Sequence, residues 1–194
     1  MNNDLPFRLC ALAILVATLP VVAYHRFKAH TGEKLDRRQE GFVLFPLRLA
    51  GLAAWAGIFT WLISPATMEW SRVELPAAAR WAGLPLGAFA SAWLVWMVRS
   101  LGRNLTDTVV TRREHTLVTH GPYRFVRHPL YAGLLPFTLS LTLLAANWFV
   151  CGMSLAVYVL LVIRTKKEEE NLVARFGDAY RDYMARTGRF LPWL

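Results

Sequence analysis

The longest uncharged run in the chain constrains its fold more than any other feature. Residues 129–163 form a stretch of 35 positions without Asp, Glu, Lys, Arg or His. A helix needs roughly 20 apolar residues to cross a bilayer, so this run is too long for one span and short for two. Asn147 lies near its middle and is typical of a tight turn. We therefore predict a hairpin of two short helices, at about 130–146 and 148–163.

Three further apolar runs precede this hairpin, at 9–24, 42–63 and 81–98, and Arg48 is their only charged residue. Runs of this length also occur in buried core helices, but five of them in 194 residues favour a membrane. We therefore predict an all-α, polytopic membrane protein with five transmembrane helices. The 55% hydrophobic content, combined with a net charge of +9, argues against a soluble nucleic-acid binder and against a disordered basic tail.

The distribution of Lys and Arg predicts the orientation. Three polar segments, 25–41, 102–127 and 164–194, hold 17 of the 22 basic residues, and a five-span chain places all three on one side. Because cytoplasmic loops are enriched in Lys and Arg, the N-terminus is expected outside and the C-terminus in the cytoplasm. A cleaved signal peptide is the alternative for the first run, but Asp4 offsets Arg8 in what would be its basic region.

Two of the basic segments carry unusual motifs. Arg127-His128-Pro129-x-Tyr131 stands where the fourth span begins, and His128 and Tyr131 would share one helix face there. Such residues also serve as simple interfacial anchors. Glu168-Glu169-Glu170 follows the fifth span, where acidic residues are unexpected. The alternative interpretation of these acids is surface pairing with the neighbouring basic residues Arg164, Lys166 and Lys167. The combination of both motifs favours a functional site.

The C-terminal tail predicts amphipathic cytoplasmic helices. Leu172, Phe176, Tyr180 and Tyr183 recur at helical spacing, and Gly177 is suited to end one helix before the next begins. A metal site is not expected. His115, His120 and His128 are five and eight residues apart, which fits no common ligand spacing, and no Cys or carboxylate accompanies them.

The order and spacing of these motifs resemble the isoprenylcysteine carboxyl methyltransferases over about residues 100–194. A similar pattern occurs in membrane phospholipid methyltransferases and small-thiol S-methyltransferases, with a weaker likeness in sterol reductases. The residues that carry the resemblance are His115-Thr116-Leu117-Val118, Gly121-Pro122-Tyr123, Arg127-His128-Pro129-x-Tyr131-x-Gly133, Arg164-x-x-x-Glu168-Glu169 and Phe176-Gly177-x-x-Tyr180-x-x-Tyr183.

The resemblance implies a methyltransferase that uses S-adenosylmethionine on the cytoplasmic side of the membrane. It assigns substrate binding and catalysis to Arg164, which can bind a carboxylate with both arms of its guanidinium group. It implies two regions, a three-span membrane region at 1–101 and a catalytic region at 102–194 with cofactor loop, hairpin and tail. The positions that match the family's cofactor contacts are His115, Thr116, Leu117, Val118, Tyr123, His128, Pro129, Leu130, Tyr131 and Glu168.

The expected acceptor is a lipophilic carboxylate, such as a C-terminal prenylcysteine, that enters sideways from the bilayer. Membrane lipids are the other expected partners, while no nucleic acid and no metal are expected. A phospholipid amine or a small thiol is the alternative acceptor. A membrane scaffold or transporter subunit is the alternative outside the enzymes, although the spans lack the buried acid typical of transport pathways.

Overall fold

The computed structural model describes residues 4–29, 42–105 and 116–192, and its regular structure is helical throughout. The α-helices, in chain order, are α1 (Leu5–Lys28), α2 (Leu44–Ile63), α3 (Ala77–Leu101), α4 (Pro129–Ala145), α5 (Trp148–Phe176) and α6 (Asp178–Arg186). Short 3₁₀ helices occur at Pro65–Ser71, Gly102–Asn104 and Gly121–Arg124.

Four helices are long and apolar enough to cross a membrane, namely α1, α2, α3 and α5. The fourth helix, α4, is also apolar but has 17 residues. The prediction of an all-α, polytopic membrane protein is therefore confirmed. Both α1 and α3 extend beyond the apolar runs that predicted them, since polar residues at their ends continue the helices.

The predicted turn between α4 and α5 is confirmed at Asn147. Ala146 adopts the left-handed conformation with φ 47°, which ends α4. The side chain of Asn147 then caps α5, because its Oδ1 accepts a hydrogen bond of 3.1 Å from the backbone N–H of Val150. Its Nδ2 donates to Ser71 Oγ at 2.8 Å. The turn is thus anchored to the loop that follows α2.

Close helix packing builds the bundle around α3, which contacts α1 on one side and α4 on the other, while α2 packs on α5. Small residues allow this approach. Ser140 of α4 donates a hydrogen bond of 2.6 Å to the carbonyl oxygen of Gly83. A Cβ atom on Gly87 would lie 2.4 Å from both Ile14 Cδ1 and Ser140 Oγ. The three helices therefore meet at a surface that has no room for a side chain at Gly87.

Substitution of Gly87 by valine is expected to destabilise the bundle, because the added atoms would overlap those of Ile14 and Ser140. Overpacking of this kind costs about 1–3 kcal/mol. The measurement is the thermal unfolding midpoint of the purified protein in detergent. Gly152→Val is the matched control, because a Cβ at Gly152 meets nothing within 4 Å. Equal midpoints for the two variants would contradict the packing described here.

A buried ion pair stabilises the end of the bundle at which α1 begins and α4 ends. Arg80 of α3 is only 7% exposed. Its Nη1 donates to Asp4 Oδ1 at 2.7 Å, and its Nη2 donates to the carbonyl oxygen of Leu144 at 2.7 Å. The guanidinium group also lies 3.8 Å from the ring centroid of Phe7. One side chain therefore joins the start of α1 to the end of α4.

Candidate functional site

A cavity of about 350 Å³ opens at the end of the bundle where α1 and α3 end and α4 begins. Its wall consists of residues from α1, α3, the segment 116–118, the start of α4, the part of α5 from residue 164 onward, and α6. A volume of this size is within the range of small-molecule sites. The cavity thus lies where the N-terminal helices meet the motif-bearing half of the chain.

The structure brings the predicted site residues together. Ten of the eleven line this one cavity: Thr116, Leu117, Val118, Tyr123, His128, Pro129, Leu130, Tyr131, Arg164 and Glu168. The eleventh, His115, lies outside the described residues. Residues 116 and 168 are distant in sequence but line the same cavity. The α4–α5 hairpin brings them together, because the end of the hairpin opposite its turn faces the loop that precedes α4.

The segment 116–118 is held in place by Asn104, which follows α3. Asn104 Nδ2 donates a hydrogen bond of 2.9 Å to Thr116 Oγ1, and the Thr116 backbone N–H donates to Asn104 Oδ1 at 3.1 Å. This reciprocal pair fixes both the backbone and the side chain of Thr116. Asn104 also lines the cavity and was not among the predicted residues.

Glu168 supplies the carboxylate of the cavity wall. The Tyr131 hydroxyl donates a hydrogen bond of 2.9 Å to Glu168 Oε2, and the Glu168 side chain is 30% exposed. Arg164 precedes Glu168 by one turn of α5, so the two side chains share a helix face. Among the described residues of the wall, three are arginines, Arg26, Arg127 and Arg164, and one is acidic. The described wall therefore contains both basic and acidic side chains, and one of the arginines, Arg127, is paired with Glu169 at 3.1 Å.

The neighbouring acid, Glu169, is more deeply buried, with 12% of its side chain exposed. Its Oε1 lies 3.1 Å from both Arg127 Nε and His128 Nε2, and its Oε2 lies 3.0 Å from Arg189 Nη2. Burial alone would raise the pKa of Glu169, but the hydrogen bond and charge of His128, together with Arg127 and Arg189, lower it to about 2. Glu169 is therefore ionised at neutral pH.

The surface-pairing interpretation of the three acids holds only for the last of them. Glu170 pairs with Lys167 at 3.3 Å, and both side chains are 52% exposed. Glu168 and Glu169 instead contact residues of the hairpin and the tail, because successive helix positions point about 100° apart. The predicted alternative is therefore wrong for the two acids that lie in or behind the cavity wall.

His128 is enclosed by the chain on several sides. Its ring stacks on Tyr131, with centroids 5.4 Å apart and an interplanar angle of 18°, and it also packs against Phe190 at 5.8 Å. The backbone N–H of His128 donates to the carbonyl oxygen of Arg189 at 3.1 Å, beside an isolated parallel bridge between Val126 and Gly188. Residues 188–190, here called the C-terminal segment, therefore contact both the backbone and the ring of His128.

The helix α6 closes the cavity with two tyrosines, Tyr180 and Tyr183. The predicted boundary is confirmed, because Gly177 ends α5 with φ 57° and α6 begins at Asp178. The Tyr183 hydroxyl donates a hydrogen bond of 2.6 Å to the carbonyl oxygen of Tyr123. Burial, and then the charge of Glu168, raises the pKa of Tyr123 well above its usual value. The Tyr123 phenol therefore stays neutral at neutral pH.

Several cavity residues were not predicted as part of the site. Tyr180 and Tyr183 belong to a motif of the resemblance, but the sequence predicted only an amphipathic helix there and no contact with the cavity. Arg26 is one of several basic residues in the segment 25–41, and nothing in the sequence distinguishes it from the others. Apolar side chains complete the wall without any local motif. The wall residues of this group are Val22, Arg26, Met97, Val98, Leu101, Asn104, Leu105, Arg127, Leu172, Tyr180 and Tyr183.

The fold and the cavity define a polytopic helical membrane protein with a charged, aromatic-lined pocket at one end of its bundle. Residues 83–174 match the model of the isoprenylcysteine carboxyl methyltransferase (ICMT) family. The matched residues make up just under half of the chain, so the match is a similarity to this family. The match covers the last part of the bundle and the hairpin, including nearly all of the motifs that line the cavity.

Two relatives illustrate the range of proteins to which the chain is similar. The chain is 32% identical over 117 residues to a protein-S-isoprenylcysteine O-methyltransferase of Rattus norvegicus, covering 58% of this chain and 41% of that protein. It is 26% identical over 196 residues to methanethiol S-methyltransferase 1 of Bradyrhizobium diazoefficiens, covering 95% of this chain and 66% of that protein. The chain thus spans well under half the length of the first relative.

A solved structure supports the fold. The eukaryotic intramembrane Ras methyltransferase ICMT superposes with a TM-score of 0.56 at 24% sequence identity, covering 75% of this chain and 52% of that chain. The likeness extends beyond the 83–174 match and therefore includes part of the N-terminal bundle.

Proposed function

We propose that this chain is an integral membrane methyltransferase that transfers a methyl group from S-adenosylmethionine to the carboxylate of a lipophilic acceptor. The observation that carries the proposal is the convergence of ten separate motif residues on one cavity of about 350 Å³. A chance resemblance would not require residues from the loop, the hairpin and the tail to share one wall. A scaffold or transporter subunit would have no use for this arrangement.

The chemistry of the cavity wall fits the cofactor. S-Adenosylmethionine combines a sulfonium, an ammonium, a carboxylate and an adenine ring. Glu168 can bind a cationic group by a charge-assisted hydrogen bond, and the Tyr123 and Tyr131 rings offer surfaces for a cation or a base. Residues 116–118, fixed by Asn104, present backbone groups that can contact the adenine edge. When bound, S-adenosylmethionine supplies the methyl group, as the acceptor oxygen bonds to the methyl carbon and the electron pair of the broken carbon–sulfur bond stays on sulfur.

The protein's contribution to this reaction is positioning and exclusion of water. A carboxylate acceptor is ionised at neutral pH, so no general base is needed. Arg164 is placed to bind the acceptor carboxylate beside Glu168, one helical turn away. The α6 tyrosines line the cavity, where they would limit access of water.

The membrane arrangement belongs to the same proposal. We infer that α4 crosses as the fifth span, so that the N-terminus lies outside and the cavity faces the cytoplasm. Arg26, Arg127 and Arg164 line one cavity, so each of the three basic segments contributes one arginine to this end of the bundle. Cytoplasmic enrichment of basic residues then supports this orientation. A lipid-tailed acceptor would reach the cavity from the bilayer, with its polar head at the boundary.

Methylation of a small thiol is the second candidate. The alignment with the methanethiol S-methyltransferase covers 95% of the chain, including the N-terminal helices, whereas the alignments with the Rattus norvegicus and Mus musculus protein-S-isoprenylcysteine O-methyltransferases cover 58% and 48%. Methylation of a phospholipid amine is the third candidate.

The acceptor is tested by incubating the purified protein with S-adenosylmethionine labelled in its methyl group. N-Acetyl-S-farnesylcysteine, methanethiol and phosphatidylethanolamine are offered in separate reactions. The proposal expects a base-labile methyl ester on the farnesylcysteine. Labelled dimethyl sulfide alone would select the thiol candidate, and label in none of the products, despite cofactor binding, would contradict all three acceptors.

A further inference from the structure

The inner end of the cavity is apolar and is formed by α1 and α3. Both helices run towards the cavity end of the bundle, so lower residue numbers lie deeper. Val22 lies one turn deeper than Arg26 on α1, and Met97 lies one turn deeper than Leu101 on α3. Met97 is 2% exposed and its neighbour Val98 is fully buried. Val22, Met97 and Val98, here called the end wall, therefore line the cavity and also contact the hydrophobic core.

The contact between α1 and α3 closes the bundle beneath the end wall. One turn below Val22, Thr18 is 1% exposed, and its Oγ1 donates a hydrogen bond of 2.7 Å to Ser91 Oγ. Further in, Gly87 leaves no room for a Cβ atom against Ile14. Among the described residues of these two helices, none deeper than the end wall lines the cavity. The cavity therefore stops at the end wall and does not continue along the bundle.

The end wall lies apart from the positions that the resemblance assigns to the cofactor. Those positions fall within 115–131 and at Glu168, and none of them lies on α1 or α3. The end wall carries no charged group, whereas S-adenosylmethionine is charged or polar over most of its length. An acceptor with its polar head at Arg164 and an apolar group directed into the bundle matches the end wall better, because apolar surface is most stable against apolar surface.

We propose that the end wall is the subsite for the apolar group of the methyl acceptor, and that Met97 sets how many carbon atoms of this group the cavity holds. Met97 has the longest side chain of the three, and a methionine side chain is unbranched and fills space along its length. The identity of the ligand as a methyl acceptor rests on the proposed function. Carbon atoms beyond the limit would lie outside the cavity and add no contact with the end wall.

The test is a binding series of S-alkyl-N-acetylcysteines, from S-methyl to S-dodecyl, measured in detergent with saturating S-adenosylhomocysteine. The compounds share one carboxylate and differ only in the length of the apolar group. Each carbon atom that enters an apolar site should raise the affinity about fourfold. For the wild type, we expect the affinity to rise with chain length and then to reach a plateau.

Met97→Ala removes the thioether end of the side chain and opens space at the end wall. The plateau should then move to acceptors longer by about two carbon atoms. Partition of each compound into detergent is the same for every protein variant. The ratio of variant to wild-type affinity at each chain length therefore reports the end wall alone.

Met68→Ala is the matched control. Met68 is 6% exposed in the same hydrophobic core, but it lies at the other end of the bundle, in the 3₁₀ helix Pro65–Ser71. This variant should lose stability and keep the wild-type plateau. Val22→Ala is a smaller change at a partly buried position of the end wall, and it keeps the test decisive if Met97→Ala does not fold. Its plateau should move by about one carbon atom.

The outcomes separate this inference from the proposed function, because methyl ester formation is measured for the same compounds. A plateau that stays at the wild-type chain length in both end-wall variants would overturn the inference, even if esters form. Weaker S-adenosylhomocysteine binding with no shift of the plateau would assign the end wall to the cofactor and would also overturn it. A shifted plateau without any ester would support the end wall as the length limit and contradict carboxylate methylation. Failure of the wild type to bind any of the compounds would contradict both.

Discussion

Glu168→Ala is expected to weaken S-adenosylmethionine binding by roughly 10- to 100-fold. The substitution removes the one carboxylate that the described residues contribute to the cavity wall. A hydrogen bond to a charged group contributes about 1.5–3 kcal/mol, and each 1.4 kcal/mol corresponds to a tenfold change in affinity. The loss of the Tyr131 hydrogen-bond acceptor adds to the effect. The measurement is isothermal titration of the purified variant with the cofactor.

Two further variants separate charge from shape at this position. Glu168→Gln keeps the size and one acceptor oxygen, so its affinity should lie between those of the wild type and the alanine variant. Glu170→Ala removes an equal charge from the exposed face of α5 and should bind normally. Equal losses for Glu168→Ala and Glu170→Ala would show that the effect is general electrostatics rather than a contact in the cavity.

Arg164→Ala is expected to raise the KM for the lipophilic carboxylate roughly 30-fold while the cofactor Kd changes by less than about threefold. Removal of one partner from a shielded charge pair costs on the order of 2 kcal/mol or more. The variant would lose the guanidinium group that we propose binds the acceptor carboxylate. Steady-state kinetics with N-acetyl-S-farnesylcysteine, combined with cofactor titration, measures both quantities.

The control for Arg164 is Lys166→Ala, which removes a basic residue from the exposed side of the same helix. Arg164→Lys should recover only part of the acceptor affinity, since an ammonium group cannot bind both carboxylate oxygens in the manner of a guanidinium group. A large loss of cofactor affinity in Arg164→Ala would assign this residue to the cofactor and contradict the role proposed for it.

The sequence predicted the features that depend on neighbouring residues. The uncharged run at 129–163 and Asn147 were sufficient to predict the hairpin, because the side chain of Asn147 acts on a backbone group three residues away. Gly177 likewise marked the boundary of α6. In contrast, Arg80 lies just outside the apolar run at 81–98, and the sequence does not predict that it lies inside α3 and is buried against Asp4. That pairing joins residues 76 positions apart, which no local pattern records.

The same distinction applies to the site. His128, Tyr131 and Glu168 belong to local motifs whose order resembles a family, so they were predicted together. Asn104 carries no such motif, and its importance follows only from its two hydrogen bonds with Thr116. Glu168 lines the cavity, whereas Glu169 is paired behind its wall, because the two acids point in different directions around α5. The C-terminal segment also packs back against α5 and places Arg189 beside Glu169.

We propose that the cavity between the hairpin, the 116–118 segment and α6 is the S-adenosylmethionine site. Photo-crosslinking of labelled cofactor to the purified wild-type protein, followed by peptide mapping, tests this most directly. If the cavity is the cofactor site, we expect label on peptides containing residues 116–131 or 164–183. Excess S-adenosylhomocysteine should displace that label. Label confined to α2, or to the opposite end of the bundle around Arg80, or no displaceable label at all, would contradict it.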